Sequence, residues 1–350
     1  MDLQKLLVGY DCQWKEVHVP RTWSDLPKIL SKSWDTLESL VLTSGWHSRT
    51  VVLDLESATR LTSLSISDKK ELKITYKVSP GLTHLNLNVR SSPNDVVTLL
   101  RMCPNLEECI ITLFGSWSTT FDIAKPPVHH QKMRKLHIRS PYAASLVETL
   151  KTPVLQDLLL HSGTFGQLRP LDGFVREHRS TLQKFSISMV SDDLRYLLKG
   201  TENLKELRVF GTDMRYTLRA LKKDAVRNAG ILVPNLEVLH VICKQHSGLQ
   251  KTFLNVVRSR SGSPGGSRSD VARLRSVSLQ NGENEQLKRQ GFDVTILDGP
   301  LNDEDADWVY GGQTETAFDS DDWDYLDGWD DLDDLEDDSD DSDDDPDDLD

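Results

Sequence analysis

Apolar and polar positions recur along the chain in one short pattern: an apolar residue, two mostly polar ones, then two apolar residues separated by any residue. These cores start at Leu37 (LESLVL), Leu61 (LTSLSI), Leu82 (LTHLNL), Leu106 (LEECII), Met133 (MRKLHI), Leu155 (LQDLLL), Leu182 (LQKFSI), Leu204 (LKELRV), Leu236 (LEVLHV) and Leu274 (LRSVSL). A degenerate copy, WKEVHV from Trp14, makes eleven. Successive starts lie 23, 24, 21, 24, 27, 22, 27, 22, 32 and 38 residues apart, so one structural unit is repeated. Strand side chains alternate with period two, which puts the fourth and sixth positions of each unit on one face of a short strand. The first Leu turns into the same interior from the preceding bend. Such a strand cannot bury its apolar face alone, so successive copies are expected to stack as a parallel sheet.

Between the cores the periodicity becomes helical in SPNDVVTLLRMC from Ser91 or Ser92, PYAASLVETLKT from Pro141, SDDLRYLLKGT from Ser191 and MRYTLRALKKDAVRNAG from Met214. Several of these stretches open with Ser, Pro, Asp or Asn, which cap or start helices, and the longest ends in Gly230. Pro80, Pro104, Pro153 and Pro234 precede or nearly precede a first Leu. Proline lacks the backbone donor and restricts its predecessor, so each is expected to stop a helix just before the next strand.

The repeated L-x-x-L-x-L cores with P-x-L corners resemble leucine-rich-repeat proteins. The irregular unit lengths, the helical linkers and phrases such as CQWKEVHVPRTWSDLPKILSKSWDTLESLVL are similar to the repeat region of fungal F-box and leucine-rich-repeat proteins. The resemblance covers roughly residues 1 to 298. It implies an α/β solenoid, a horseshoe with a parallel β-sheet on the concave face and helices on the convex face. It also implies a non-enzymatic protein-binding scaffold, like the substrate-recognition repeats of a ubiquitin-ligase adaptor. The only F-box-like fragment, DLPKIL at Asp25 to Leu30, falls between the first two cores and reads as a linker helix.

Positions three, five and seven of each unit are expected to project from the concave sheet, the usual binding surface of a solenoid. Position five runs His18, Val41, Ser65, Asn86, Ile110, His137, Leu159, Ser186, Arg208, His240, Ser278. Position seven in the middle of the chain runs Arg139, His161, Ser188, Phe210, and position three adds Lys135, Asp157, Lys184 and Glu206. This mixed surface suits a protein partner and lacks the single-sign stripe of a nucleic-acid binder. His137, His161 and His240 lie on different strands without a supporting Cys or carboxylate set, so no metal and no cofactor is expected. The pair His129 and His130 reads as a polar loop.

Charge divides the chain. Residues 302–350 hold 25 acidic residues and no basic ones, which leaves 30 acids against 41 bases, a net of +11, in residues 1–301. The domain reading is therefore a repeat domain over 1–298 and an acidic, disordered tail over 299–350. Trp323, Tyr325 and Trp329 in that tail are docking candidates for a basic partner such as a histone, and the layout resembles acidic leucine-rich nuclear phosphoproteins. Ser339 and Ser342 precede acidic runs and are candidate phosphorylation sites. The Arg/Ser/Gly-rich stretch over 258–270 is expected to be a disordered loop.

Four cysteines, Cys12, Cys103, Cys109 and Cys243, are too sparse for a disulfide framework and lack C-x-x-C spacing. No signal peptide and no window of eighteen apolar residues is found, which leads to an expectation of a monomer in the cytosol or nucleus with no membrane partner. Catalytic motifs such as G-x-S-x-G, H-E-x-x-H and the phosphate-binding loop are missing, so no enzymatic activity is expected.

Overall fold

The computed structural model describes residues 15–19, 35–43, 50–55, 58–71, 73–77, 81–114, 126–161, 169–188, 194–211, 218–219, 221, 232–243, 249–261, 274–279 and 293–294. All of them belong to one compact unit, Met1–Asp298. The fragment DLPKIL and the acidic tail, with Trp323, Tyr325, Trp329, Ser339 and Ser342, lie outside the described residues.

Every repeat core forms one strand of a single sheet: β1 (Glu16–Val19), β2 (Ser39–Thr43), β4 (Ser63–Glu71), β6 (His84–Arg90), β7 (Glu108–Leu113), β9 (Lys135–Arg139), β11 (Asp157–His161), β12 (Lys184–Ser188), β13 (Glu206–Gly211), β14 (Val238–Cys243) and β15 (Ser276–Leu279). The short β16 (Asp293–Val294) adds a twelfth strand that no repeat core announces. Neighbours in space follow sequence order, and every pairing in this sheet is parallel. The chain is thus an α/β protein built around a large parallel sheet.

The register aligns equivalent positions of successive units. From β2 to β15 the fourth positions (Leu40, Leu64, Leu85, Cys109, Leu136, Leu158, Phe185, Leu207, Leu239, Val277) form one line, and none is more than 2% exposed. The sixth positions from Leu42 to Val241 behave likewise, and the first residues from Leu37 to Leu274 are as deeply buried in the same apolar cluster. Each fully buried Leu, Ile or Phe contributes about 1.5–3 kcal/mol relative to exposure, so stability comes from the stack and no unit is stable by itself. A hydrogen-bond relay at the corners locks this register. The carbonyl of the second position accepts from the second and third backbone N–H groups of the next unit, as in Arg134 O with Gln156 N and Asp157 N, both at 2.9 Å.

Return segments cover the buried face. Helix α1 (Pro93–Met102) starts at Ser92, whose Oγ accepts from the Asp95 N–H at 3.2 Å, and buries Val96, Val97, Leu99 and Leu100. Helices α2 (Ala143–Glu148), α3 (Arg169–His178), α4 (Leu194–Leu197) and α5 (Leu249–Ser261) follow, and the buried apolar residues of each, such as Leu146, Val175, Leu194 and Phe253, join the strand cluster. Leu218, Arg219 and Leu221 are helical, while the rest of the stretch from Met214 to Gly230 lies outside the described residues.

Four expectations are corrected. The stretch from Pro141 is helical only over α2. Thr149 then donates its Oγ1 to Leu146 O at 2.8 Å, and Leu150–Lys151 forms β10, which pairs parallel with β8 (Val128–His129). Pro153 therefore does not end a helix, since the element before it is β10; Pro80 lies outside the described residues, and the last element described before it is β5 (Lys73–Lys77), paired parallel with β3 (Thr50–Asp54). Proline stops a ladder as well as a helix, because the missing donor matters to both. In the stretch from Ser191, of which 191–193 lie outside the described residues, the helix ends early, at the close of α4, after which Gly200 turns the chain with φ 84°, a left-handed conformation that costs glycine little. The Arg/Ser/Gly-rich loop begins later than expected, since residues 258–261 are the last turn of α5; residues 262–270 lie outside the described residues.

Candidate protein-binding face

With rows four and six buried, rows three, five and seven point away from the apolar cluster. Their alignment across strands is the one the repeat implies. Row five joins His18, Val41, Ser65, Asn86, Ile110, His137, Leu159, Ser186, Arg208, His240 and Ser278 as successive register partners. Row seven joins Arg139, His161, Ser188, Phe210 and Ile242, and row three joins Lys135, Asp157, Lys184, Glu206 and Val238. The twelve candidate positions on β9 to β14 therefore share one face. Lys184 and Arg208 are exposed, Ser186 is buried, and the other nine are intermediate.

Row three alternates in sign from strand to strand: Glu108, Lys135, Asp157, Lys184, Glu206. Strands about 4.8 Å apart bring each acid beside a cation. Lys135 Nζ lies 3.3 Å from Glu108 Oε2, with His84 Nε2 on the other side of Glu108 at 3.9 Å. His137 Nε2 donates to Asp157 Oδ1 at 3.1 Å. Glu206, only 14% exposed, is held by Lys184 at 3.5 Å and by Arg208, whose Nη2 and Nε donate to Oε1 at 2.6 and 2.7 Å. Exposed pairs of this kind add little stability, but they fix where the side chains stand.

These contacts set protonation. Burial raises the Asp157 carboxyl, but the His137 hydrogen bond and the charges of His137, Lys184 and Lys135 together hold it below its ordinary value. Burial lowers His240, and the neighbouring Arg208 charge adds to this while Glu206 opposes it. Asp157 is therefore ionised and His240 neutral at neutral pH.

The mixed charge expected of the face is sorted by row. Among the described residues of β1 to β15, rows five and seven contain no Asp or Glu. On β9 to β14 the three rows carry four fixed cations (Lys135, Arg139, Lys184, Arg208) and two carboxylates (Asp157, Glu206), a surplus of two positive charges. Glu108, His84 and Ile242 belong to the same surface and were absent from the candidate set. Their place in the repeat marks them: Glu108 and His84 stand at position three and Ile242 at position seven of their units.

Among the described residues no group of three or more His, Cys, Asp or Glu is placed to hold a metal ion. No helix among them is long and apolar enough to cross a membrane. Cys103, the C-cap of α1, and Cys109, on β7, are both buried in the apolar cluster; burial pushes the Cys103 thiol up to about 12 and raises Cys109 as well, so neither supplies a thiolate at neutral pH. His129 and His130 diverge from the single reading given to both. His129 is exposed, whereas His130 is fully buried with neither ring nitrogen hydrogen-bonded among the described residues.

Neither a protein-family model nor a curated protein matches the chain. Its function is therefore argued from its own residues.

Proposed function

We propose that the chain is a leucine-rich-repeat solenoid that binds another protein on its open sheet face and carries out no reaction itself. The observation that supports this most is the sheet's two-sidedness. Among the described residues, rows four and six of β2 to β14 are buried in the apolar cluster, while rows three, five and seven stand in register on the other face and are mostly intermediate or exposed. Ten steps of about 4.8 Å between the eleven repeat strands give a face on the order of 50 Å across, matched to a protein footprint.

The resemblance to F-box and leucine-rich-repeat proteins favours a substrate-recognition role in a ubiquitin ligase, in the cytosol or nucleus. A second reading, an adaptor for histones or other basic nuclear proteins, is favoured by the 25 acidic and no basic residues over 302–350. Affinity purification of the tagged full chain with mass spectrometry separates the two. Recovery of a cullin-type ligase scaffold supports the first. Recovery of histones that is lost on deletion of residues 302–350 supports the second. A partner retained equally by Phe210→Asp, Arg139→Glu and Arg208→Glu variants overturns the assignment to this face.

A further inference from the structure

We infer that the β9 to β14 part of the face takes an extended acidic segment of a partner protein, one that interleaves carboxylates or phosphates with apolar side chains. This deepens the scaffold reading and rests on it.

Three observations carry it. First, each carboxylate in the patch already has partners: Asp157 is hydrogen-bonded to His137 and lies in the fields of Lys184 and Lys135, and Glu206 contacts both Lys184 and Arg208. The patch nevertheless retains its surplus of cations, so an incoming anion meets attraction without an unscreened acid nearby. Asp157 senses this field, since its carboxyl is held down in spite of burial. Secondly, acids are confined to row three, next to the corner relay. The partner would lie along rows five and seven, where Arg139, His161, Arg208 and His240 stand among Leu159 and Phe210. Thirdly, two apolar side chains share the face with the cations, Phe210 standing two residues from Arg208 on β13 and Leu159 one strand from the β9 that carries Lys135 and Arg139. Leu159 lies between His137 and Ser186, and Phe210 between Ser188 and the buried Ile242. A purely ionic ligand would leave these side chains without apolar contact, whereas an acidic segment with Trp, Tyr or Leu satisfies both kinds of site.

The geometry also disfavours a nucleic acid. Its phosphates would track continuously past Asp157 and Glu206, and the patch offers no unbroken cationic stripe. In an extended peptide, residues four apart stand about 13 Å from each other, comparable with two to three strand steps of about 4.8 Å. Acids spaced in that way reach Lys135 and Lys184, or Arg139 and Arg208, in turn.

The test is fluorescence anisotropy of the full-length chain with a labelled synthetic twelve-residue peptide of Asp and Glu interrupted by Trp and Leu, in 50 and 300 mM NaCl. Saturable binding in the micromolar range is expected, weakened by about tenfold or more in the Arg139→Glu/Arg208→Glu variant and unchanged in Lys199→Glu, an exposed cation outside the three rows. Phe210→Ala is expected to weaken the peptide but not a polyglutamate control. Binding that is equal in the double variant overturns the assignment, as does tighter binding of single-stranded DNA of matched charge. Residues 302–350 carry similar chemistry, and a tethered tail would compete at an effective concentration of about millimolar. Peptide binding that appears only after Asp and Glu in 302–350 are replaced by Asn and Gln would assign the patch to the chain's own tail and overturn the partner assignment. If the face captures a partner that lacks an acidic segment, the acid preference fails while the scaffold reading stands.

Discussion

Arg260 gives the sharpest energetic prediction. It is the penultimate residue of α5, only 3% exposed, and its guanidinium donates from Nε to Leu221 O at 2.9 Å, from Nη1 to Val233 O at 2.9 Å and from Nη2 to Leu232 O at 2.5 Å. Two of these carbonyls belong to the corner that leads into β14, where Val233 is held at φ 54°, a left-handed conformation that is costly for a β-branched residue. Arg260 thus fastens a return-segment helix to a strained corner of the sheet. Arg260→Met keeps the apolar stem and removes the fork. Three hydrogen bonds to a charged donor, at about 1.5–3 kcal/mol each, are lost. Burial, which lowers Arg260 to about 10 from 12.5, shows that placing the charge there costs about 3 kcal/mol, and the substitution recovers that amount. The net loss is therefore expected to be about 3 kcal/mol, or a fall in Tm of roughly 5 °C for a unit of this size. Arg260→Lys should fall between the two, because an ammonium cannot reach three divergent carbonyls. Urea and thermal unfolding of the full chain measure the loss, and hydrogen exchange should locate it at residues 232–243. A destabilisation below about 1 kcal/mol, or exchange that rises evenly over the whole sheet, would refute the clamp.

Other positions give independent tests. Burial and the neighbouring His129 lower the His130 imidazole to about 4 from 6.5, so the unfolded chain takes up its proton first and stability falls as pH drops from about 6.5 to 4. His130→Leu removes that dependence, and denaturant unfolding at pH 5 and pH 7.5 should show a larger gain at the lower pH. Phe185, fully buried at a fourth position, should cost about 3–5 kcal/mol when changed to Ala, measured as a lower denaturation midpoint with an unchanged slope. Ser92→Ala removes the Oγ that accepts from Asp95 N and should cost about 1 kcal/mol in the same assay, with a near-wild-type result for Ser92→Asp.

The strands were legible because one residue spacing encodes both their existence and their register. Two buried positions at period two, together with a first Leu in the bend, leave only one face to the core. Leu155, Leu158 and Leu160, for example, are all buried, while Asp157, Leu159 and His161 face outward. The cap at Ser92 was equally local. Less legible were the return segments, where β3, β5, β8 and β10 depend on a partner one unit away and carry no repeated signature. Arg260 was hidden by its context. The string RSRSGS reads as low complexity, and the residue's partners lie 27 to 39 positions upstream. His130 shows the same limit, since an imidazole in a Pro-containing loop reads as polar surface until tertiary packing closes over it.

Every functional statement depends on successive units adding strands side by side and in register, so that outward residues from distant parts of the chain share one face. Double electron–electron resonance between spin labels carried by unnatural amino acids at Asn86 on β6 and Arg208 on β13 tests this most directly. The two positions are in row five and five strand steps apart, which places their backbones about 24 Å from each other at about 4.8 Å per step. A single narrow distribution near that distance, broadened only by the reach of the labels, is the predicted result; a broad distribution, or one centred beyond about 40 Å, would contradict the shared face.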